Sequence, residues 1–267
     1  MNVNLHDKAA VITGGGGAIG GALARAFAAA GARVAIWDIA EKAARARAAE
    51  IGGEAIAIVC DVSDRAQVEQ AGRETLAAFG GIDILVNGAG GSCKEATTSP
   101  ELPFCDITPA ALMHAMAVNY AGTVIASQVA GRIFVEQKRG VILNIASIGG
   151  VRPLTRAVAY SAAKSAVVNF TQWLAVHMAR EYSPQIRVNA LAPGFVLTEQ
   201  NRFLLRDEQS GAPTERGRQV IAQVPMARYG QPKDMVGAAL WLVSDAASYV
   251  TGAVVPVDGG LLAALGV

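Results

Sequence analysis

Three residues in the middle of the chain carry groups that can act on one proton. Ser147, Tyr160 and Lys164 lie within SIGGVRPLTRAVAYSAAK, residues 147–164. Tyr160 and Lys164 are four apart, so on a helix they share one face, where an ammonium favours a neighbouring phenolate. Ser147 follows the apolar run VILNIA and precedes glycines, the pattern of a strand that ends in a loop. Catalytic groups are often carried at such a position, on a loop fixed by a rigid scaffold. A lone Y-x-x-x-K spacing also occurs among ordinary surface residues, so its weight depends on the elements that position it.

Those elements alternate. AAVIT ends at Thr13 and runs directly into GGGGAIGGALARAFAAAG, a glycine-rich turn opening an alanine-rich helix. Gly14 permits a tight turn, the glycines after it, Gly17 among them, let backbone approach a pyrophosphate, and Gly20 lets the helix pack on the strand. RVAIW ends at Asp38, where a carboxylate can meet the ribose hydroxyls of a dinucleotide. The same charge repels a 2′-phosphate, so NAD is expected over NADP, with Arg33 the one nearby basic residue against it. EKAARARAAEI, EAIAIVC, RAQVEQAGRETLAAF and IDILVNGAGG continue the alternation. Asp61 reads either as the N-cap of the next helix or as a partner for an adenine amino group. Strands alternating with helices through short glycine-bearing turns imply a parallel sheet with right-handed crossovers and helices on both faces.

After a polar loop, SCKEATTSPELPFCDIT, one long helix is expected over HAMAVNYAGTVIASQVAGRIFVEQ. Asn119 sits inside it, and a poor helix former there invites a reason, the simplest being a side chain bonded to nearby backbone. VILNIA then delivers Ser147, a helix after Arg152-Pro153 carries Tyr160 and Lys164, and IRVNALA ends at Pro193-Gly194. Residues 195–228 are irregular and read as a helical lid over the strand ends or as a plain surface excursion. A helix, PKDMVGAALWLVSD, a strand, AVVPVD, and an apolar tail, LLAALGV, complete the chain. The tail folds back or crosses to a second copy.

Composition narrows the partners. A chain of 267 residues fits one domain, and 23 basic against 22 acidic residues leave no electrostatic footprint for nucleic acid or an anionic membrane. No apolar run approaches the roughly 18 residues that span a bilayer, and MNVNLHDK turns charged before a secretory signal could form. Cys60, Cys93 and Cys105 match no zinc or redox spacing, so reduced thiols in the cytoplasm and no metal are expected. No G-x-S-x-G elbow accompanies His6, His114 or His177, which disfavours a Ser-His-Asp hydrolase.

Taken together, TGGGGAIG, Asp38, Asp61-Val62, NGAG at 87–90, Asn119, Ser147, YSAAK and PGFVLT at 193–198 resemble the short-chain dehydrogenase/reductase family from Lys8 to Gly260. Ala18 stands where a glycine is usual, a small departure. The resemblance implies a single Rossmann-type doubly wound domain of about seven strands, a homotetramer or homodimer, and hydride transfer between a nicotinamide and an alcohol or carbonyl. It implies Tyr160 as acid/base, Ser147 bonding the substrate oxygen, Lys164 lowering the phenol's pKa and reaching the nicotinamide ribose, and Asn119 holding a water that links Lys164 to solvent. Gly14, Gly17, Ile19, Gly20, Asp38, Asp61, Val62, Asn87, Ala89, Val196 and Thr198 would line the cofactor, with Tyr160 and Lys164. RPLT at 152–155, NFTQWLAVHMA at 169–179 and APGFVLTEQNR at 192–202 resemble the branch acting on D-mannonate and D-fructuronate. A carboxylate substrate calls for a guanidinium, which grips it with paired hydrogen bonds. Arg152 and Arg202 are the candidates, with Gln200 and Asn201 for sugar hydroxyls. A 3-oxoacyl or polyol/ketose oxidoreductase shares every core motif, and a dinucleotide-binding sensor without catalysis is a remoter reading.

Overall fold

A computed structural model describes residues 3–198, 201–202, 205–207 and 210–264. Strands β1 (Ala9–Thr13), β2 (Arg33–Asp38), β3 (Ile56–Val59), β4 (Ile84–Asn87), β5 (Gly140–Ile145), β6 (Ile186–Pro193) and β7 (Val254–Val257) form one seven-stranded sheet. The order is β3-β2-β1-β4-β5-β6-β7 and every pairing is parallel. Parallel sheets are covered on both faces, which is why these strands read as continuous apolar runs rather than alternations. Helices α1 (Ala18–Ala29), α2 (Glu41–Ile51), α3 (Arg65–Phe79), α4 (Pro109–Met116), α5 (Gly122–Gln137), α6 (Val158–Glu181), α7 (Glu215–Gln223) and α8 (Val236–Val243) connect or cover them.

Two apolar layers sandwich the sheet. Trp37, Val68, Phe134, Phe170 and Leu174 belong to one, with residues from α3, α5 and α6; Leu23, Phe27, Ile36, Met235 and Leu242 belong to the other, with residues from α1 and α8. Trp37 Nε1 donates to Thr75 Oγ1 at 3.0 Å, so the large indole is buried with its polar atom satisfied. Phe134 is fully buried, and truncating such a side chain to alanine costs roughly 3–5 kcal/mol.

The single long helix expected across Asn119 is instead two helices joined by a π-turn, Ala117–Ala121. Asn119 Nδ2 donates to Ala115 O at 3.0 Å and to Gly91 O at 3.0 Å. A side chain bonding the carbonyl four residues back, and tied to a neighbouring loop as well, is compatible with a widened turn, and such turns recur at functional sites. The last expected helix likewise opens as a 3₁₀ turn, Pro232–Met235, with Gln231 and Asp234 forming a capping box. Among the described residues no helix is long and apolar enough to cross a membrane.

Candidate active site

The strand order reverses between β1 and β4, and helices leaving them to opposite faces open a crevice at their carboxyl ends. Gly14, at φ +64°, closes the floor of that crevice: a Cβ there would stand 2.8 Å from the Ala89 backbone. Thr13, which the sequence reading passed over, ties the two turns together. Its Oγ1 accepts the Gly88 and Ala89 N–H groups, each at 3.1 Å. The only clue in the sequence is a hydroxyl residue directly before the first turn glycine. At the head of α1, Gly17 offers no side-chain cap and the first turn holds no acidic residue, so its orphan N–H groups are open to an anion. Asp38 accepts the Gly16 N–H at 3.0 Å and the Ala40 N–H at 2.9 Å. A carboxylate has about four acceptor sites, so two remain for a diol. An anion cradle beside a carboxylate fits a nicotinamide dinucleotide.

Other expected lining residues fall into different roles. Asp61 does not cap α3. Its Oδ1 accepts the Ser63 N–H and hydroxyl, and the cap is Asp64, which accepts the Ala66 and Gln67 N–H groups at 2.8 and 3.3 Å. Three residues of extra turn separate strand from helix, a boundary that sequence patterns place poorly. Val62 is buried against Gly122 at the start of α5, and Ile19 is half-buried in the first turn of α1. The Asn87 amide is held beneath the crevice, donating to Ser127 Oγ at 2.9 Å and to Asn144 Oδ1 at 2.8 Å. Ala89 is half-buried in the turn that Thr13 holds.

The polar centre stands at the end of β5. Ser147 is buried, its Oγ accepts the Gly149 N–H at 3.0 Å, and it hydrogen-bonds the Tyr160 phenol. Tyr160 lies in the first turn of α6 and Lys164 one turn on, with Nζ 5.8 Å from the phenol ring centroid. Lys164 Nζ donates to Ile145 O at 2.7 Å, which anchors the helix to the strand that delivers Ser147. Gly90, at φ +138°, lies close to both polar groups: a Cβ there would stand 2.6 Å from Asn119 Oδ1 and 3.5 Å from Lys164 Nζ. Asn119 Oδ1 accepts the Gly91 N–H at 2.9 Å, so its side chain is engaged with backbone at both ends.

The electrostatics differ from the simplest expectation of a lowered phenol. Burial raises the Tyr160 pKa and the Ser147 hydrogen bond only partly opposes it. Burial also lowers Lys164 to about 8. Both groups are withdrawn from water, which disfavours the charged form of each and brings their proton affinities closer. A phenol and an ammonium of converging affinity, beside a serine hydroxyl, can pass a proton to or from an oxygen held by that hydroxyl.

On the substrate side, Val196 is buried and pairs in a bridge with Gly230. Asn201 locks this loop by accepting the Thr198 N–H and donating to Val196 O, both at 2.8 Å, so its amide is spent on backbone rather than free for a sugar. Arg202 is already partnered, Gln200 lies outside the described residues, and Arg152 is exposed.

With a doubly wound sheet, a glycine-lined crevice and a Ser-Tyr-Lys centre in place, the chain belongs to the short-chain dehydrogenase/reductase family and is an NAD(P)-dependent oxidoreductase acting on alcohol groups. A family profile described as enoyl-(acyl carrier protein) reductase matches residues 16–262. An uncharacterized oxidoreductase, UxuB, of Bacillus subtilis is 41% identical, with 100% of this chain and 99% of that protein aligned. A solved structure from Haemophilus influenza with bound NAD, provisionally named a D-mannonate oxidoreductase, is 37% identical at a TM-score of 0.93, covering 100% and 99% of the two chains. Sorbitol dehydrogenase of Cereibacter sphaeroides is 38% identical over 97% of this chain and 98% of its own.

Proposed function

We propose that the chain interconverts D-mannonate and D-fructuronate with NAD as its preferred cofactor. The site geometry carries the chemistry, and likeness to the Haemophilus protein supports the substrate. Gly14, Gly17, Gly20 and the α1 N-terminus would hold the pyrophosphate, Asp38 the adenosine ribose, and Val196 and Thr198 the carboxamide end. Bound nicotinamide supplies or takes up the hydride at the reacting carbon. In the reducing direction Tyr160 gives its phenolic proton to the substrate carbonyl oxygen while Ser147 donates a hydrogen bond to the same oxygen. Lys164 stabilises the phenolate left behind, and Asn119 holds the Gly90–Gly91 backbone against Lys164. In oxidation the phenolate takes the alcohol proton back. Residues 195–228 act as a lid over this centre.

The test is consumption of NADH with D-fructuronate, run beside NADPH and beside uncharged ketoses. Turnover confined to ketoses would overturn the substrate reading and favour the polyol alternative, which the sorbitol dehydrogenase likeness supports. We further place the enzyme in the cytoplasm as a homodimer or homotetramer. Exposed Trp173 and Tyr182 border a groove of about 1030 Å³ between α5 and α6 that suits a second copy. Light scattering showing a monomer would refute the assembly.

A further inference from the structure

Tyr160 and Lys164 share one face of α6, and the residue after each is a serine. Ser161 and Ser165 therefore repeat the four-residue spacing one step, about 100°, round the helix. Both are bonded to the segment that leaves Ser147. Ser161 Oγ accepts the Leu154 N–H at 3.2 Å, and Ser165 Oγ donates to Gly150 O at 3.0 Å. The pair pins that segment to α6 at residues 150 and 154.

Both points bear on Ser147. Ile148–Gly150 is a single 3₁₀ turn in which the Gly150 N–H donates to Ser147 O at 2.9 Å and the Gly149 N–H to Ser147 Oγ at 3.0 Å. With one lone pair held by Gly149, the hydroxyl proton is left for the phenol or a substrate oxygen. Gly150 lies directly on the α6 backbone: a Cβ there would stand 2.6 Å from Lys164 O and 2.7 Å from Lys164 C. Its φ is outside the left-handed region, so glycine is needed here for close approach and not for conformation. Leu154 backs the same turn, since a Cβ on Gly149 would stand 3.1 Å from Leu154 Cδ1 and 3.4 Å from Ser147 Oγ. Lys164 is consequently gripped at both ends. Its Nζ donates to Ile145 O, just before Ser147, and its own carbonyl abuts Gly150, just after.

We infer that Ser161, Ser165 and Gly150 are positioning residues, which dock the turn after Ser147 onto the backbone of α6 and so set how the Ser147 hydroxyl meets the Tyr160 phenol. This rests on the Ser-Tyr-Lys mechanism proposed above and not on the identity of the substrate. All three residues act through the turn, so their effect belongs to the chemical step rather than to binding. A misplacement near 1 Å costs on the order of 10²-fold in rate.

The test compares wild type with Gly150→Ala, with the double variant Ser161→Ala and Ser165→Ala, and with Ser165→Thr. Turnover is measured with NAD and D-mannonate, or with NAD and D-sorbitol where wild type prefers the polyol. Melting temperature reports on folding and the Kd for NADH on the cofactor site. Docking predicts that kcat falls on the order of 10²-fold in Gly150→Ala and at least about tenfold in the double serine variant, with substrate KM and NADH Kd near wild type. Ser165→Thr keeps its hydroxyl at an exposed position and should keep kcat. The rise of kcat with pH reports the phenol and the ammonium as a coupled pair. The Ser147 hydrogen bond lowers the Tyr160 pKa, so weakening it in the double serine variant should move that rise up by about half a unit. Folded Gly150→Ala and double serine enzymes with wild-type kcat overturn the inference. A kcat loss matched by an equal loss of NADH affinity, with the pH midpoint unmoved, also overturns it, because that marks general loosening. Should Gly150→Ala fail to fold, the serine variants decide by the same readings. Tyr160→Phe separates this inference from the mechanism beneath it. If that variant keeps turnover, both fall; if it loses turnover while the double serine variant does not, the docking alone falls.

Discussion

Replacing Thr13 by valine removes one hydroxyl from the join between the two turns that floor the crevice, with almost no change in shape. Thr13 is 2% exposed, and its Oγ1 accepts the Gly88 and Ala89 N–H groups at 3.1 Å while lying 3.4 Å from Val86 O. Valine strands both donors. An unsatisfied buried donor costs about 1–3 kcal/mol. Gly88 and Ala89 are only half-buried, so the low end applies and the pair should lose about 2 kcal/mol. For a chain of this size that is a fall in Tm of roughly 4–8 °C. Thr13→Ser keeps the acceptor and should lose well under half as much. Because the freed turn faces the dinucleotide crevice, NADH affinity should fall with stability in the valine variant and remain near wild type in the serine variant. Urea or thermal unfolding and NADH fluorescence titration provide the two readings. A valine variant as stable as wild type, with unchanged NADH affinity, would refute the role given to this hydroxyl.

Tyr160→Phe removes the only proposed proton carrier, so turnover should fall by about 10²–10⁴-fold, with NADH binding retained by the same fluorescence assay; retained turnover refutes the mechanism. Lys164 has a folded pKa of about 8 against an ordinary 10.5, so the unfolded chain holds more protons between those values and the Lys164 contribution to stability rises with pH there. The burial penalty is present in full below pH 8 and relieved by about pH 10.5, a gain of about 3 kcal/mol over Lys164→Met measured by urea unfolding at each pH. Parallel profiles for the two proteins would sink this. Asp38→Asn removes the charge facing the ribose edge and should improve kcat/KM for NADPH relative to NADH by at least about tenfold, or about 1.4 kcal/mol. An unaltered ratio means that another group sets cofactor choice.

Fold and catalytic centre were legible to different depths for physical reasons. Strands β1, β2, β4, β5 and β6 stand out because each is an apolar run ending at a glycine or polar turn, the local signature of a strand buried on both faces. Tyr160 and Lys164 were readable because helical periodicity alone sets their relation. What escaped depends on contacts across the chain. The π-turn at Asn119 needs Gly91, Asp64 rather than Asp61 caps α3 because the chain takes one more turn first, and Thr13 matters only once β1 lies beside β4. Asn201 has a side chain of the right type for a sugar but spends it on Val196 and Thr198. Arg152 looked suitable by its closeness in sequence to Ser147, whereas the folded chain leaves its side chain exposed.

Placement of Ser147 relative to Asn119 also depends on polar groups that an apolar-pattern reading discards. Asn87 and Asn144 face each other in register on β4 and β5, and they are linked by a 2.8 Å bond between their amides. Asn144 continues to Thr171 on α6 at 2.8 Å, and Asn87 to Ser127 on α5 at 2.9 Å. Ser127 donates to Thr123 O at 2.7 Å, and Thr123 to Asn119 O at 3.2 Å. Every one of these side chains is buried. Sliding β4 against β5 by one residue would break the amide pair and leave several buried polar atoms unpaired, each at about 1–3 kcal/mol. Apolar residues alone would oppose that slip less selectively, because these strands are apolar on both faces. The chain therefore sets the β4–β5 register with hydrogen bonds, and through that register sets how Ser147, at the end of β5, meets the Gly90–Gly91 turn and Asn119. Within this network Asn87 Oδ1 is left without a partner among the described residues, a cost of the same order tolerated at the point where strand, helix and crevice meet.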